Sequence, residues 1–187
     1  MSPRESALVV LVPEAEAVAK PFRDQYDPSA AAGMPAHVTL LYPFKAPRAV
    51  DNITLGKLRD CFARFEPIQF SLSAIRRFPI EVLYLAPEPD EPFRQLTLSI
   101  WNLFPETPPY RGKWSDIVPH LSVAQLANEQ QIAAVAEDLA KASQGKLPIR
   151  AFASKIALMD NQSGRWGIRN LFSCKRPFLT RRSGFGV

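Results

Sequence analysis

The sequence predicts a protein of mixed helices and strands whose two halves repeat one order of elements. The chain has 187 residues, 47% of them hydrophobic, which is enough for the core of one compact domain or two small lobes. Segments with apolar residues three or four positions apart predict helices, and they alternate with short segments typical of strands. Each half runs helix, a strand that contains one histidine, helix, strand, strand.

In the first half, a short helix is expected from Pro21, because proline suits the first turn of a helix. Asp51 or Asn52 is expected to cap a second helix, because both side chains can accept hydrogen bonds from the first turn. The apolar face of that helix consists of Leu55, Leu58, Phe62 and Phe65. The predicted strands cover 7–14, the segment around His37, 67–78 and 81–87.

In the second half, a helix is predicted over 91–104, and Asn128 is expected to cap another that ends near Gly145. The apolar residues of these helices are Phe93, Leu96, Ile100 and Leu103 in one and Ile132, Val135 and Leu139 in the other. The predicted strands are the segment around His120, a single strand over 148–160 and a strand over 165–174, the last two joined by a turn at 161–164.

The chain contains only two histidines, and both begin the same four-residue pattern. Successive side chains of a strand point to opposite faces, so His37 and Thr39 share a face. His120 and Ser122 do the same in their strand. If an approximate two-fold axis relates the halves, both pairs face one groove. The two tetrads are His37-Val38-Thr39-Leu40 and His120-Leu121-Ser122-Val123.

Two facing imidazoles suit displacement at phosphorus, because one can remove a proton from the attacking oxygen and the other can protonate the leaving oxygen. The hydroxyls of Thr39 and Ser122 can donate hydrogen bonds to the non-bridging oxygens of the phosphate. The alternative for a lone histidine in a strand is a structural, hydrogen-bonded role. Two matching tetrads favour the catalytic interpretation.

The paired tetrads resemble the signature of the 2H phosphoesterase superfamily, in particular its bacterial 2′-5′ RNA ligase-like and cyclic phosphodiesterase branch. The resemblance covers roughly residues 5–175. It implies one α+β domain over 1–175, bilobal and pseudo-two-fold, with antiparallel sheets around a central cleft. The lobes are expected to be intertwined, with approximate sequence halves 1–89 and 90–175, and 176–187 to form a basic, flexible tail.

The resemblance also implies an enzyme that needs neither metal nor cofactor and hydrolyses 2′,3′-cyclic phosphate or 2′-5′ bonds of RNA or nucleotides. It implies that His37 and His120 are the acid and base and that Thr39 and Ser122 bind the phosphate. The expected partner is a nucleotide or RNA terminus with a cyclic phosphate or 2′-5′ linkage. No obligate protein partner is indicated.

Aromatic residues near the tetrads could stack on a nucleobase at the mouth of the cleft, with core packing or loop anchoring as the alternative. They are Tyr42, Phe44, Tyr110 and Trp114. Arg165, next to Trp166, could reach substrate phosphate or lie on a solvated hairpin. At most one of Arg76 and Arg77 should face a cleft, because neighbours in a strand point to opposite sides.

Other classes of function receive less support. A metal hydrolase is disfavoured, because the two histidines form no HxH or HExxH motif. Cys61 and Cys174 are far apart and indicate neither a disulfide framework nor a zinc site. A non-catalytic RNA-binding module, suggested by the net charge of +5, and an RNA end-joining enzyme that uses the same cleft both stay open.

A membrane location is not expected, because no apolar run approaches the length that spans a bilayer. The apolar segment near the N-terminus is short and interrupted by Pro13, which makes it a poor secretory signal. The expected location is the cytoplasm.

Overall fold

The computed structural model describes residues 4–79 and 82–175, which contain two four-stranded antiparallel sheets and five α-helices. The strands are β1 Ser6–Leu11, β2 His37–Leu41, β3 Ile68–Arg77, β4 Val82–Glu88, β5 Leu121–Gln125, β6 Ile149–Ala153, β7 Lys155–Asp160 and β8 Gly167–Ser173. The helices are α1 Glu16–Tyr26, α2 Pro28–Ala31, α3 Asn52–Phe62, α4 Glu91–Leu103 and α5 Glu129–Ala142.

The two sheets are arranged in the same way around the histidine strands. The strand order is β2-β1-β7-β8 in the first sheet and β5-β4-β3-β6 in the second, so β2 and β5 each occupy an edge. Each edge strand pairs with the strand that comes before it in the chain, and a long helix lies between the two in sequence. The two units are β1-α1-β2 and β4-α4-β5. Reciprocally, α1 packs against β5 and α4 against β2. The α+β, pseudo-two-fold prediction is confirmed.

Each sheet takes strands from both halves of the sequence. The first sheet contains β1 and β2 from the first half and β7 and β8 from the second, while β3 and β4 pair with β5 and β6 in the other sheet. One continuous core joins the two sheets and the four longer helices, and Leu8, Leu58, Leu85, Ile100 and Leu139 are each fully buried in it. The halves therefore share one apolar interior.

Polar caps fix the starts of two helices as the sequence predicts. The Asp51 side chain accepts a hydrogen bond of 2.7 Å from the backbone N–H of Thr54 at the start of α3. At the start of α5, the side-chain oxygen of Asn128 accepts hydrogen bonds from two backbone N–H groups, those of Gln130 and Gln131. Such caps satisfy donors that a helix cannot pair internally, each worth about 1 kcal/mol.

The prediction that a helix starts near Pro21 is wrong. Helix α1 begins at Glu16, after a 3-10 turn at Pro13–Ala15, and Pro21 lies inside it. Proline removes the hydrogen bond to the carbonyl four residues earlier, that of Ala17. Both Pro21 and Ala17 are exposed, so water can satisfy that carbonyl.

The single strand predicted over 148–160 is also wrong. The segment forms β6, which pairs with β3 in the second sheet, and β7, which pairs with β1 and β8 in the first. Ser154 lies between them and accepts a hydrogen bond from the backbone of Cys174. The predicted turn at 161–164 is present and is closed by a hydrogen bond from Gly164 to Asn161.

Two further expectations concern the C-terminal tail and the location of the protein. The predicted basic tail, 176–187, lies outside the described residues. Within 4–79 and 82–175, none of the helices combines the length and the apolar character that crossing a bilayer requires. The cytoplasmic location stays a prediction.

Candidate active site

The two histidines lie at the starts of the adjacent edge strands. His37 is the first residue of β2, and His120 immediately precedes β5. The strands contact each other, and the imidazoles are close enough for a charge on His120 to lower the pKa of His37. In both tetrads the apolar second and fourth residues are buried in the core. The structure thus brings both histidines close together, and we refer to the faces of the two sheets that carry them as the cleft faces.

A backbone carbonyl two residues earlier in the chain fixes each imidazole. The Nδ1–H of His37 donates to the carbonyl of Pro35 at 2.7 Å, and that of His120 donates to the carbonyl of Val118 at 2.7 Å. A carbonyl oxygen can only accept, so Nδ1 must carry the proton in both rings. Each Nε2 is therefore left to accept a proton or, once protonated, to donate it.

Both imidazoles are half-buried, and burial disfavours their charged forms. Burial lowers the pKa of His37 to about 4; the nearby Arg23 guanidinium acts in the same direction, and the Asp27 carboxylate opposes it. Burial also lowers the pKa of His120 below its ordinary value. In the free protein at pH 7, both rings are therefore neutral.

A buried ion pair lies near His37. The Nε of Arg23 is 3.0 Å from Oδ2 of Asp27, and the two side chains are only 2% and 7% exposed. Arg23 also donates to the backbone carbonyl of Met34 at 3.0 Å, which fixes the segment leading into β2. The i,i+4 spacing of the pair is visible in the sequence, but it equally describes an exposed helix face, so the pair was not identified from the sequence.

The face of the first sheet that carries His37 and Thr39 is otherwise apolar. His37 is paired with Leu11 and Thr39 with Val9 across β1, and directly opposite residues project from the same face. This face holds a small apolar cluster, distinct from the main core. Its members are Ala7, Val9, Met34, Ala157 and Met159, with Leu11, Tyr42 and Trp166 packed against them.

Aromatic rings surround His120. The rings of Phe78 and Tyr84 meet its imidazole edge to face, with centroids 5.0 Å and 5.5 Å away. The ring of Tyr110 lies nearly parallel to the imidazole at 6.5 Å. Tyr84 pairs with Ser122 across the sheet, which places it on the cleft face. Phe78 and Tyr84 were not identified from the sequence, because only the register of β3, β4 and β5 brings them to the histidine.

Tyr110 connects the two tetrads. The Thr39 side chain is near enough to the Tyr110 hydroxyl to act on its pKa, lowering it, while the Tyr110 ring lies against His120. Its backbone N–H donates to the carbonyl of Tyr42 at 2.6 Å, and its φ of 50° is in the left-handed region that side chains disfavour. Burial raises the pKa of Tyr110 to about 12, so its hydroxyl stays protonated at neutral pH.

The remaining predicted aromatic residues have different surroundings. The Tyr42 hydroxyl donates to Glu5 at 2.5 Å, and its ring meets Trp166 edge on. Phe44 packs in the main core against Phe104, which favours the packing alternative for this residue. Trp114 is 62% exposed, with the ammonium of Lys113 4.7 Å from its ring centroid.

Among the described residues, neither Arg165 nor the two cysteines contact the histidines. Arg165 donates to the carbonyl of Ala31 at 3.3 Å. Cys61 and Cys174 are free thiols. In the parts of the chain that the structure describes, no three His, Cys, Asp or Glu side chains cluster as metal ligands would.

A comparison with family models identifies the chain. The model of the 2′-5′ RNA ligase superfamily matches residues 11–165, which include both tetrads. The chain belongs to this superfamily of 2H phosphoesterases. The resemblance inferred from the paired tetrads is confirmed. None of the curated proteins matches the chain.

Solved structures show the same fold at low sequence identity. LigT of E. coli complexed with NADP+ is 14% identical, with a TM-score of 0.60, over 94% of this chain and 100% of LigT. LigT complexed with 3′-AMP gives a TM-score of 0.57 over the same shares of the chains, also at 14% identity. TT0787 of Thermus thermophilus is 15% identical, with a TM-score of 0.59, over 91% of this chain and 98% of TT0787. This member of the 2′-5′ RNA ligase superfamily therefore has the LigT fold over nearly its whole length.

Proposed function

We propose that this protein is a metal-independent phosphodiesterase that hydrolyses 2′,3′-cyclic phosphate or 2′-5′ bonds of RNA or nucleotides. The observation that carries the proposal is the matched anchoring of His37 and His120. Each Nδ1–H donates to the backbone, which leaves two Nε2 atoms on adjacent strands for proton transfer. His37 and His120 are the proposed acid and base, and Thr39 and Ser122 the proposed phosphate ligands.

The reaction uses the two imidazoles in complementary protonation states. A neutral Nε2 takes a proton from water as the water oxygen forms a bond to phosphorus. The bond from phosphorus to the leaving ribose oxygen breaks, and the protonated Nε2 of the other histidine donates to that oxygen. Both rings are neutral in the free protein, and a bound anionic phosphate favours the proton that one of them needs.

The solved LigT structures support a nucleotide or RNA terminus as the partner. LigT has been crystallised with 3′-AMP, with ATP and with phosphate. The net charge of +5 of this chain favours such anions. End-joining is the reverse of cleavage through the same site, because a catalyst accelerates both directions.

The test is a panel of 2′,3′-cyclic mononucleotides and 2′-5′ linked dinucleotides, with the phosphate isomer of each product identified. We expect turnover in the presence of EDTA and a bell-shaped dependence of kcat/KM on pH. His37→Ala and His120→Ala should each lose about a thousandfold or more in kcat, because each removes a proton-transfer group. Circular dichroism of both variants checks that they fold.

An activated diester with a 4-nitrophenolate leaving group separates the two roles. This leaving group needs little protonation, so the variant that lacks the acid should recover most of its activity while the variant that lacks the base does not. Folded histidine variants with near-normal turnover on every substrate would contradict the mechanism. Binding of RNA that weakens with salt but is indifferent to either histidine would favour the binding module instead.

A further inference from the structure

The register of the second sheet places one unassigned arginine on the cleft face. Ser122 on β5 lies opposite Tyr84 on β4, and Tyr84 lies opposite Arg76 on β3. Directly opposite residues of antiparallel strands project from the same face. Ser122, Tyr84 and Arg76 therefore form a row across three strands, which begins at the proposed phosphate ligand and ends at a guanidinium.

The neighbouring Arg77 lies on the opposite face of the sheet and has an ion-pair partner. Arg77 lies opposite Leu83, a core residue, and its Nη1 is 3.8 Å from Oε1 of Glu129 on α5. Arg76 is exposed, and among residues 4–79 and 82–175 no hydrogen-bond acceptor or carboxylate pairs with its guanidinium. Five N–H donors on the cleft face are therefore available to an anion.

Aromatic rings cover the surface between Arg76 and the histidine. The rings of Phe78 and Tyr84 stack on each other at 4.5 Å, and both contact the imidazole of His120. Neighbouring strands lie about 4.8 Å apart, so the backbones of Ser122 and Arg76 are separated by about 10 Å. Aromatic rings between two anion-binding groups are typical of surfaces that bind nucleotides linked by phosphates.

We propose that Arg76 binds a second phosphate of the substrate, about one nucleotide away from the reacting phosphorus. The proposal rests on the proposed function, because it takes the Ser122 hydroxyl as the site of the reacting phosphate. It identifies the substrate class as a nucleotide that carries at least one additional phosphate. That phosphate can be the internucleotide phosphate of an RNA end or the 5′-phosphate of a mononucleotide.

The test compares three substrates with the same terminal 2′,3′-cyclic phosphate. They are a nucleoside without further phosphate, the same nucleoside with a 5′-phosphate, and a dinucleotide. Arg76→Ala should lower kcat/KM about tenfold on at least one of the two substrates with a second phosphate and leave the first unchanged. The substrate that responds identifies the source of the second phosphate. Arg76→Lys should retain most of the activity.

Arg77→Ala is the matched control, because it removes the same charge from the adjacent position on the other face. It should leave all three substrates unchanged, since its exposed ion pair contributes little. On the dinucleotide, Arg76→Ala should also make kcat/KM less sensitive to salt than in the wild-type protein, because salt screens the contact between the guanidinium and the phosphate that the variant lacks.

Equal losses in Arg76→Ala and Arg77→Ala, or an equal loss on all three substrates, would overturn the assignment of Arg76. If the wild-type protein cleaves none of the three, hydrolysis of 2′,3′-cyclic phosphates fails independently of the assignment of Arg76. Binding of an uncleavable dinucleotide 3′-phosphate, measured by isothermal titration calorimetry, then decides the matter. Weaker binding by Arg76→Ala but not by Arg77→Ala would support the second-phosphate site, and equal binding by both would reject it.

Discussion

His37 lies beside a buried ion pair and an apolar cluster, whereas His120 lies among three aromatic rings. The two imidazoles nevertheless share one arrangement, with Nδ1–H donating at 2.7 Å to the carbonyl two residues earlier. Burial lowers the pKa of both. What the two halves have in common is thus the backbone geometry at the start of an edge strand, together with partial burial.

The difference indicates which features the chemistry requires. A fixed tautomer and an imidazole that is neutral before substrate binds can be obtained from either environment. The side chains around each imidazole can therefore differ. Near His37, Arg23 fixes the backbone ahead of β2, and beside His120 lie aromatic rings. The two sides of the cleft are thus alike in how they hold the imidazole and different in the side chains that surround it.

Removal of the two hydroxyls is the strongest test of the equivalence between the halves. Thr39→Ala and Ser122→Ala should each lower kcat about a hundredfold, because each removes a hydrogen-bond donor to the charge that develops on the phosphate. The exchanges Thr39→Ser and Ser122→Thr keep the hydroxyl and serve as matched controls with smaller losses. A hundredfold loss in one alanine variant and none in the other would break the equivalence of the halves.

Substitution of Tyr110 should have a smaller effect, and it tests a link between the two halves of the sequence. Tyr110→Phe keeps the ring against His120 and removes the hydroxyl on which Thr39 acts. We expect kcat/KM to fall about tenfold, because the hydroxyl removed lies beside Thr39, the proposed phosphate ligand, and could orient it by a hydrogen bond. Tyr42→Phe, whose hydroxyl bonds to Glu5 instead, is the control and should change kcat/KM less. Equal effects in the two variants would mean that Tyr110 only anchors its loop.

Most of the element order could be predicted from sequence because the local signals were strong. The caps at Asp51 and Asn128 and the apolar spacing of 91–104 each depend on neighbouring residues alone. The break at Ser154 was missed, although the pattern changes there. The residues of β6 alternate between buried and exposed, as in a sheet with one covered face, whereas the four central residues of β7 are apolar and all buried.

The candidate site was predictable only where it lies within a tetrad. Alternation along a strand is a local property, so it relates His37 to Thr39 and His120 to Ser122 without knowledge of the fold. Tyr84 reaches the cleft through its pairing with Ser122, and Arg23 reaches His37 through the packing of α1. Those relations depend on register and tertiary contact, which single-residue patterns do not encode.

The smallest effect expected is on stability, and it has the same sign in both halves. The pKa of His37 is about 4 in the folded protein and about 6.5 in an unfolded chain. Between these values the unfolded state binds more protons, so the free energy of unfolding falls as pH decreases from about 6.5 to about 4. Above about pH 6.5 this contribution is constant. His120, whose pKa is also lowered, adds to the loss in the same direction.

Urea denaturation at pH 5 and pH 7 measures this contribution. The wild-type protein should lose more stability between the two pH values than His37→Asn, which cannot take up a proton at this position. His120→Asn should show the same reduction despite its aromatic surroundings, because burial is the main cause of both shifts. Comparing pH values within each variant removes any change in its overall stability. A variant that keeps the full wild-type loss would show that the imidazole it lacks is not desolvated in the folded state.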